Sequence, residues 1–394
     1  MSNYPRILDI DSILKRKSLF LFGPRQTGKS SFLRLNFPQA MYIDLLLNEN
    51  FSLLIKNPEL LRKKVELHLK TNKSNIVIVD EIQKVPALLD EVHALIEKYK
   101  NLRFILTGSS ARKLKEKGVN LLGGRASKVE FFPLTFVEIQ SEGNAFDYLR
   151  AMTSGLMPAI YSSENAYDDL LDYVGMYLKD EIKQEGYVRN LASFAEFLRL
   201  AALSNTQQIN YSNFASDAQV SVTTAKEYFQ ILEDTLLGNQ VSPFRYTEKR
   251  KSMSSCKFYF FDIGIVNGLI RRKELVEGTS EFGAAFEQLI FQELRAYISY
   301  YRKDFKLEYW RSIDKSEVDF VIYENLKQLY AIEVKSSKRP RPKEYSGLLK
   351  LEEEFPKIKK MVVSLTEHSI IEDNGVEIYS VNDFLNLLWS HEIF

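Results

Sequence analysis

Cysteine and histidine are scarce in this sequence. Its 394 residues include one cysteine, Cys256, and four histidines that lie far apart. A single cysteine excludes an internal disulfide framework and any paired-cysteine metal or redox site, and the scattered histidines do not suggest a zinc site. Lys plus Arg total 53 and Asp plus Glu total 52, so any attraction to nucleic acid has to come from local basic clusters.

Long apolar runs are also missing. The first residues, MSNYPRILDIDSILKRK, lack the apolar core of a signal peptide, and no later stretch approaches the roughly 20 apolar residues of a membrane span. With 45% hydrophobic and 27% charged residues, the chain is long enough for about two to four domains with cores of their own. We therefore expect a soluble, cytoplasmic protein without a membrane partner.

A phosphate-binding loop is the first motif. Residues 22–34 read FGPRQTGKSSFLR and lie between an apolar strand and a helix, the context that such a loop requires. Backbone N–H groups of the loop point at phosphate oxygens, Lys29 reaches the β and γ phosphates, and the Ser30 hydroxyl coordinates Mg²⁺. The predicted ATP-binding residues of the loop are Gly23, Pro24, Arg25, Gln26, Thr27, Gly28, Lys29, Ser30 and Ser31.

An acidic pair ends a later apolar strand. The run IVIV at 76–79 is typical of a strand buried in a parallel sheet, and it leads into Asp80 and Glu81. At the carboxyl edge of such a sheet, Asp80 would hold the Mg²⁺ through water, and Glu81 would orient or activate the attacking water. This position after a phosphate loop is typical of a Walker B motif.

Two further segments offer candidates for the same site. The strand in LRFILTGSS ends in small hydroxyl residues, and either Thr107 or Ser109 is predicted to contact the γ phosphate or the attacking water. The sequence does not decide between these two. Arg125 follows two glycines in LLGGRA, so it could reach a neighbouring subunit's nucleotide as an arginine finger, or it could lie on the surface after a turn.

These segments together resemble a family, the AAA-type ATPases of bacteria and archaea that carry a conserved C-terminal domain of unknown function. The resemblance rests on GPRQTGKSSFLR, IVIVDEIQKVP, FILTGSSARKL, LLGGRA and EFFPLTFVE, and it continues through YLKDEI, KFYFFDIGIVNGL, FGAAFEQLIFQEL and EVDFVI…AIEVKSS, over essentially the whole chain. It implies a P-loop domain that binds ATP, with the sensor role for Thr107 or Ser109. The chain departs from AAA ring ATPases because it has no obvious sensor-2 arginine in a long helical lid.

The middle of the chain is predicted to be mostly helical. Residues 135–190 have the helical spacing of a connector, and residues 191–272 give three helices and a β hairpin, the pattern of a winged helix-turn-helix. Such a module could contact DNA or pack against protein. The predicted nucleic-acid contacts are Thr223, Thr224 and Lys226 in the third helix, Arg245, Lys249, Arg250 and Lys251 in the hairpin, and Lys338, Arg339 and Arg341 in a later basic strip.

Residues 273–394 carry carboxylates in the order of a PD-(D/E)XK nuclease core, which they resemble. Glu287 lies on a helix, Asp319 on one strand, and Glu333 and Lys335 on one face of the next strand, as period-two alternation requires. Asp319, Glu333 and the Val334 carbonyl would bind Mg²⁺ or Mn²⁺ with help from Glu287. Lys335 would stabilise the phosphate or position the water. Alternatively, the domain is catalytically idle and serves as a docking platform.

The sequence thus predicts an AAA-like parallel-sheet domain in 1–134, the connector, the winged helix and a restriction-endonuclease-like α/β domain in 273–394. We interpret the chain as a Mg²⁺-dependent ATPase and homo-oligomer whose nucleotide state governs how the winged helix and a metal-dependent nuclease domain engage DNA. The alternative is an ATP-switched DNA- or protein-binding regulator with an idle nuclease-like site.

Overall fold

The computed structural model describes residues 4–71, 74–109, 122–141, 143–185, 190–245, 255–325 and 328–394, without the side chains of 176–185. The chain divides into two compact units. The first unit comprises residues 6–133 and 234–236, and the second comprises residues 4–5, 134–233 and 237–394. Among the helices of these described ranges, none combines the length and the apolar character needed to cross a membrane.

The first unit is built on a parallel sheet. Its elements are α1 (Asp11–Leu14), β1 (Ser18–Phe22), α2 (Lys29–Asn36), β2 (Met41–Asp44), α3 (Asn48–Lys56), α4 (Leu60–Thr71), β3 (Ile76–Asp80), α5 (Leu88–Lys98), β4 (Arg103–Gly108) and β5 (Ala126–Glu130). The strand order is β2-β3-β4-β1-β5, and each neighbouring pair is parallel. The predicted P-loop fold is therefore confirmed. Because β3, β4 and β1 are adjacent, the loops at their carboxyl ends meet at one edge.

The apolar strands of this sheet form its core. β1 is buried along its whole length, as its apolar run predicts. Phe20 and Phe22 of β1 belong to one buried cluster with Leu88, Val92 and Leu95 of α5, whose spacing gives the helix a single apolar face. This packing holds the ends of the strands, and hence the loops that follow them, in fixed positions.

The second unit begins with helices and a hairpin. Its elements are α6 (Phe136–Gln140), α7 (Tyr148–Ser154), α8 (Pro158–Tyr161), α9 (Ala166–Glu185), α10 (Leu191–Leu203), α11 (Tyr211–Asp217), α12 (Val222–Asp234), β6 (Gly238–Val241) and β7 (Lys257–Phe260), with β6 and β7 antiparallel. The three helices and the hairpin predicted for the winged helix are thus present. The predicted basic tip of the hairpin, Lys249, Arg250 and Lys251, lies outside the described residues.

Aromatic rings hold the three helices to the hairpin. The ring centroid of Phe229 on α12 lies 4.9 Å from that of Phe197 on α10 and 5.0 Å from that of Phe258 on β7. On the opposite face of β7, Tyr259 stacks on Phe291 with centroids 4.1 Å apart. Because neighbouring residues of a strand point to opposite faces, β7 turns Phe258 toward the helices and Tyr259 away from them.

The rest of the second unit is a mixed sheet with helices. Its elements are α13 (Ile263–Leu269), α14 (Ser280–Tyr300), β8 (Lys306–Arg311), β9 (Glu317–Glu324), β10 (Gln328–Lys335), α15 (Ser346–Glu354), β11 (Lys359–Ser364), β12 (Ile370–Ile371), β13 (Glu377–Ser380) and α16 (Val381–Trp389). The strand order is β12-β13-β11-β10-β9-β8. β9 and β10 pair antiparallel, with Phe320 opposite Ile332, so Asp319 and Glu333 are brought to neighbouring positions.

Candidate functional site

The phosphate loop has the backbone conformation that its glycines predict. Gly28 has φ of 92°, a left-handed conformation that glycine adopts without strain, and α2 begins at the next residue. A Cβ at Gly23 would lie 2.4 Å from the Phe131 carbonyl oxygen, so only glycine fits there. Within the loop, the Thr27 hydroxyl donates to the Pro24 carbonyl at 2.9 Å. Gln26 and Ser31 are exposed and Arg25 is half-buried.

The ammonium of Lys29 is held inside this loop. Lys29 is 6% exposed, and its Nζ donates to the carbonyl oxygens of Gly23 at 2.6 Å and Pro24 at 2.8 Å. A buried cation with carbonyl partners of this kind can exchange them for the more negative oxygens of a phosphate chain. The loop therefore holds a buried positive charge against its own carbonyl groups.

Asp80 lies at the centre of a group of hydroxyls at the end of β3. Its carboxylate accepts from the Ser30 hydroxyl at 2.8 Å and from the hydroxyls of Tyr42 and Thr107. Burial, followed by the hydrogen bond to Asp80, raises the pKa of Tyr42 well above its usual value. A carboxylate beside a serine hydroxyl is the hard oxygen donor set that Mg²⁺ prefers, so these residues fit the ion.

Glu81 has a strained backbone. Its φ of 60° is left-handed, which is uncommon for a residue with a side chain and is typical of functional sites. The side chain is 7% exposed and accepts a hydrogen bond from the Gln83 amide, which also donates to the Ser109 hydroxyl at 3.1 Å. The Glu81 N–H donates to the Thr107 hydroxyl at 3.1 Å. Thr107 and Ser109 both lie within this hydrogen-bond network, Thr107 in direct contact with Asp80.

Arg125 lies in an ion pair on the surface. It follows Gly123 and Gly124, which both have positive φ, and its side chain is 41% exposed. The guanidinium pairs with Glu97 of α5 and donates to the Gly123 carbonyl at 3.5 Å. These partners are not phosphate-loop residues, so the structure does not bring Arg125 to the loop of its own chain.

The predicted nuclease residues come together in the second unit. The Val334 N–H donates to Asp319 Oδ2 at 2.9 Å, and the Asp319 N–H donates to Glu333 Oε2 at 3.3 Å. Lys335 Nζ pairs with Glu333 Oε1 at 2.6 Å. Glu287 joins the same group from α14, because Lys257 contacts both Glu287 and Asp319.

Lys257 of β7 is the cation that links these carboxylates. Its Nζ lies 3.1 Å from Glu287, 2.6 Å from Glu317 and 3.2 Å from Asp319, and its side chain is 4% exposed. Tyr259, two residues further on the same face of the strand, donates its hydroxyl to Glu287 at 2.5 Å. We call the group formed by Lys257, Glu287, Glu317, Asp319 and Glu333 the carboxylate cluster.

Burial dominates the electrostatics of the carboxylate cluster. Burial, and next the charge of Asp319, raise the pKa of Glu287 to about 7 and that of Glu333 to about 8. For Lys257, burial by itself would lower the pKa, but the charges of Glu287 and its neighbours hold that pKa well above its usual value. The lysine therefore stays charged, and its charge compensates the carboxylates around it.

A divalent metal does not fit this arrangement, because the ammonium of Lys257 already lies within 3.2 Å of Glu287, Glu317 and Asp319. Both oxygens of Asp319 are engaged, one by Lys257 and the other by the Val334 N–H. Both oxygens of Glu333 are engaged as well, by Lys335 and the Asp319 N–H. Across the part of the chain that the structure describes, no group of three or more His, Cys, Asp or Glu side chains is arranged to hold a metal ion.

The predicted nucleic-acid contacts lie on three separate elements. At the start of α12, Thr223 and Lys226 are exposed, and the Thr224 N–H donates to the Ser221 hydroxyl at 3.0 Å, which caps the helix. Arg245 is exposed after β6 and lines an open cleft of about 510 Å³. The strip formed by Lys338, Arg339 and Arg341 is exposed after β10.

Several residues of these sites were missed in the sequence analysis: Tyr42, Gln83, Lys257, Tyr259 and Glu317. A signal existed for the lysine and its tyrosine, because KFYF alternates polar and apolar faces and places Lys257 and Tyr259 on the same one. No local signal marked Tyr42, since it contacts Asp80 from a neighbouring strand. Gln83 lies two residues after Glu81 and was passed over in the same segment.

Comparisons with known proteins divide the chain into three segments. Residues 15–140 match an AAA domain, residues 145–275 match a domain of unknown function (DUF8612), and residues 282–384 match another (DUF4143). The chain is 25% identical to an uncharacterised protein of Mycobacterium tuberculosis over 333 residues, which cover 82% of this chain and 71% of the relative. It is 22% identical to an uncharacterised protein of Haemophilus influenzae over 388 residues, 92% of each.

Among solved structures, the chain is similar to the Orc1 protein of Aeropyrum pernix in complex with DNA. The identity is 12% and the TM-score 0.31, and the match covers 69% of this chain and 94% of the Orc1 chain.

Proposed function

Because the chain combines an AAA-type P-loop ATPase domain with a C-terminal domain of unknown function, as its sequence predicted, we propose that it is a Mg²⁺-dependent ATPase whose nucleotide state governs how the second unit engages DNA. The observation that carries the proposal is the contact of Ser30 with Asp80 at 2.8 Å. This contact joins the phosphate loop to the end of β3, so the residues that hold nucleotide, metal and water form one site.

The phosphate loop and Lys29 bind the nucleotide. The backbone N–H groups between Gly23 and Gly28 receive the phosphate oxygens, and the N-terminus of α2 adds its positive dipole end. Lys29 exchanges the Gly23 and Pro24 carbonyls for β and γ phosphate oxygens. Ser30 and Asp80 are the residues that would hold the Mg²⁺, which neutralises charge on the phosphates when it is bound.

Hydrolysis needs a base at the γ phosphate, and we assign this role to Glu81. Water attacks the γ phosphorus, the bond to the β–γ bridging oxygen breaks, and Glu81 accepts the proton of the water. Glu81 reaches this water by exchanging its hydrogen bond from Gln83. Thr107 contacts Asp80 and the Glu81 backbone, so we assign the sensor role to Thr107 rather than Ser109. A finger role for Arg125 would require a second copy of the chain, because its own pairing is with Glu97.

DNA engagement is expected to depend on the exposed basic side chains of the second unit. Replacing Lys226 or Arg245 by alanine should each reduce the slope of log K against log salt by about 1, because each substitution removes one contact to phosphate. The measurement is fluorescence anisotropy of labelled duplex DNA over a salt series, without nucleotide, with ADP and with a non-hydrolysable ATP analogue. The proposal expects affinity to differ among the nucleotide states.

The matched control for this experiment is Lys357→Ala, which removes an exposed lysine from outside the predicted contacts. It should leave the slope unchanged. An equal loss of slope in Lys357→Ala, or an affinity that depends on neither salt nor nucleotide, would contradict the proposed DNA contacts.

The carboxylate cluster favours a second candidate function for the C-terminal domain. Phosphodiester cleavage would need a divalent ion between Asp319, Glu333 and the Val334 carbonyl, but both carboxylates already have cationic and N–H partners. This pairing supports the alternative in which the chain is an ATP-switched DNA- or protein-binding regulator with a catalytically idle nuclease-like domain.

Plasmid nicking separates the idle domain from an active nuclease. With Mg²⁺ or Mn²⁺, with or without ATP, the wild-type protein should leave supercoiled plasmid intact, because the cluster has no open position for the ion. The readout is the supercoiled fraction on an agarose gel. Nicking by the wild type that disappears in Asp319→Ala would show an active nuclease and would end the regulator proposal.

A further inference from the structure

The position of Lys257 is unusual for a lysine in a strand. Its side chain is 4% exposed and reaches carboxylates on two other elements, Glu287 of α14 and both Glu317 and Asp319 of β9. A charge can be buried in this way only when opposite charges and hydrogen bonds offset its loss of hydration. Lys257 and the three carboxylates therefore stabilise one another.

The backbone of Lys257 is held from both sides. Lys257 pairs with Val241 in the hairpin. On the other side, the Ile209 N–H donates to the Cys256 carbonyl at 2.8 Å, and the Phe258 N–H donates to the Gln207 carbonyl at 3.1 Å. The cation thus comes from the predicted winged helix, while its partners come from the predicted nuclease-like domain.

We propose that Lys257 fills the place of a divalent cation in the carboxylate cluster, so that the cluster is a latent metal site closed by the chain's own ammonium. This proposal rests on the second candidate function, the idle domain, and is independent of ATP hydrolysis. Asp319 would be a metal ligand in the predicted nuclease, and Lys257 contacts its Oδ1 at 3.2 Å. Lys335, which pairs with Glu333, and Arg311, which pairs with Glu317, are not members of the cluster and are each 28% exposed.

Removing the charge of Lys257 should leave its three carboxylate partners available to bind a metal ion. Without the ammonium, Glu287, Glu317 and Asp319 lose the positive charge that offsets their mutual repulsion. Oxygen ligands in such a group bind a hard divalent ion, which replaces the lost positive charge. The side chain of Glu317 is 28% exposed, so the ion has a route from solvent to the group.

The test measures Mn²⁺ binding to the full chain in the absence of nucleotide. Binding is detected by isothermal titration calorimetry and by the electron paramagnetic resonance signal of free Mn²⁺. Lys257→Met keeps the length of the side chain and removes its charge. This variant should bind one more Mn²⁺ than the wild type does. Its affinity for that ion should be at least about tenfold higher than the affinity of the wild type for any ion at the cluster. Adding Asp319→Asn to Lys257→Met should abolish this extra ion, which separates it from any ion at Ser30 and Asp80. Lys257→Arg keeps the positive charge and should not gain the ion.

Two results would overturn the proposal. One is a wild-type protein that already binds Mn²⁺ in an Asp319-dependent manner as tightly as Lys257→Met does. The other is a Lys257→Met protein that is folded by circular dichroism and gains no ion. If Lys257→Met folds only when Mn²⁺ is present, the ion has replaced the ammonium and the proposal is supported; if it stays unfolded with Mn²⁺, the proposal fails. If the Mn²⁺ experiment contradicts the latent metal site but the wild type does not nick plasmid, the proposal that the nuclease-like domain is catalytically idle still holds.

Discussion

Replacing Lys29 by alanine should reduce ATP turnover by about 100- to 1,000-fold and weaken nucleotide binding by about 10- to 100-fold. The ammonium of Lys29 is buried in the loop and bonded to the Gly23 and Pro24 carbonyls. Alanine removes the direct cationic partner of the β and γ phosphates, both in the bound state and during transfer. Phosphate release under saturating ATP and the affinity for a fluorescent ATP analogue measure the two effects.

Lys17→Ala is the matched control, because Lys17 is an exposed lysine ahead of β1 and outside the loop. It should bind and hydrolyse ATP as the wild type does. A melting curve should accompany Lys29→Ala, since the substitution also removes a donor from two carbonyls. Undiminished hydrolysis by a folded Lys29→Ala protein would contradict the ATPase proposal as a whole.

Replacing Glu81 by glutamine should preserve ATP binding and reduce hydrolysis by about 100- to 10,000-fold. Glutamine keeps the shape of the side chain, but its amide cannot accept the proton of the attacking water. Binding of the ATP analogue, measured beside single-turnover hydrolysis, distinguishes a loss of chemistry from a loss of binding.

The corresponding control is Glu59→Gln, which changes an exposed glutamate near the start of α4. Its turnover should match that of the wild type. Normal turnover by Glu81→Gln would show that another residue positions the water, and Gln83, which donates to both Glu81 and Ser109, is the next residue to replace.

The nucleotide site could be predicted from the sequence because its signals are local. Gly23, Gly28, Lys29 and Ser30 follow one another along a single loop, and Asp80 and Glu81 follow one strand. The glycine spacing determines the backbone turn, and the apolar run before each motif predicts a buried strand that ends at the carboxyl edge. The contribution of Tyr42 was not predictable, because it depends on β2 lying beside β3.

The carboxylate cluster was predictable only in part. Alternation along β9 and β10 placed Asp319, Glu333 and Lys335 correctly, because period-two geometry is a property of each strand by itself. The cation at the centre of the cluster is Lys257, more than sixty positions before Asp319 in the sequence. The two residues come into contact only when β7 packs beside α14 and β9.

The sequence by itself therefore determined the elements of this protein, its phosphate loop, and the residue types that gather at each strand end. Backbone propensity and side-chain periodicity act over a few residues, and a single sequence shows them directly. Only the tertiary structure decided which charges meet. It placed Tyr42 on Asp80, Arg125 on Glu97, and the ammonium of Lys257 among the carboxylates predicted to bind metal. Buried charges require partners, and distant segments supply those partners only when the chain has folded.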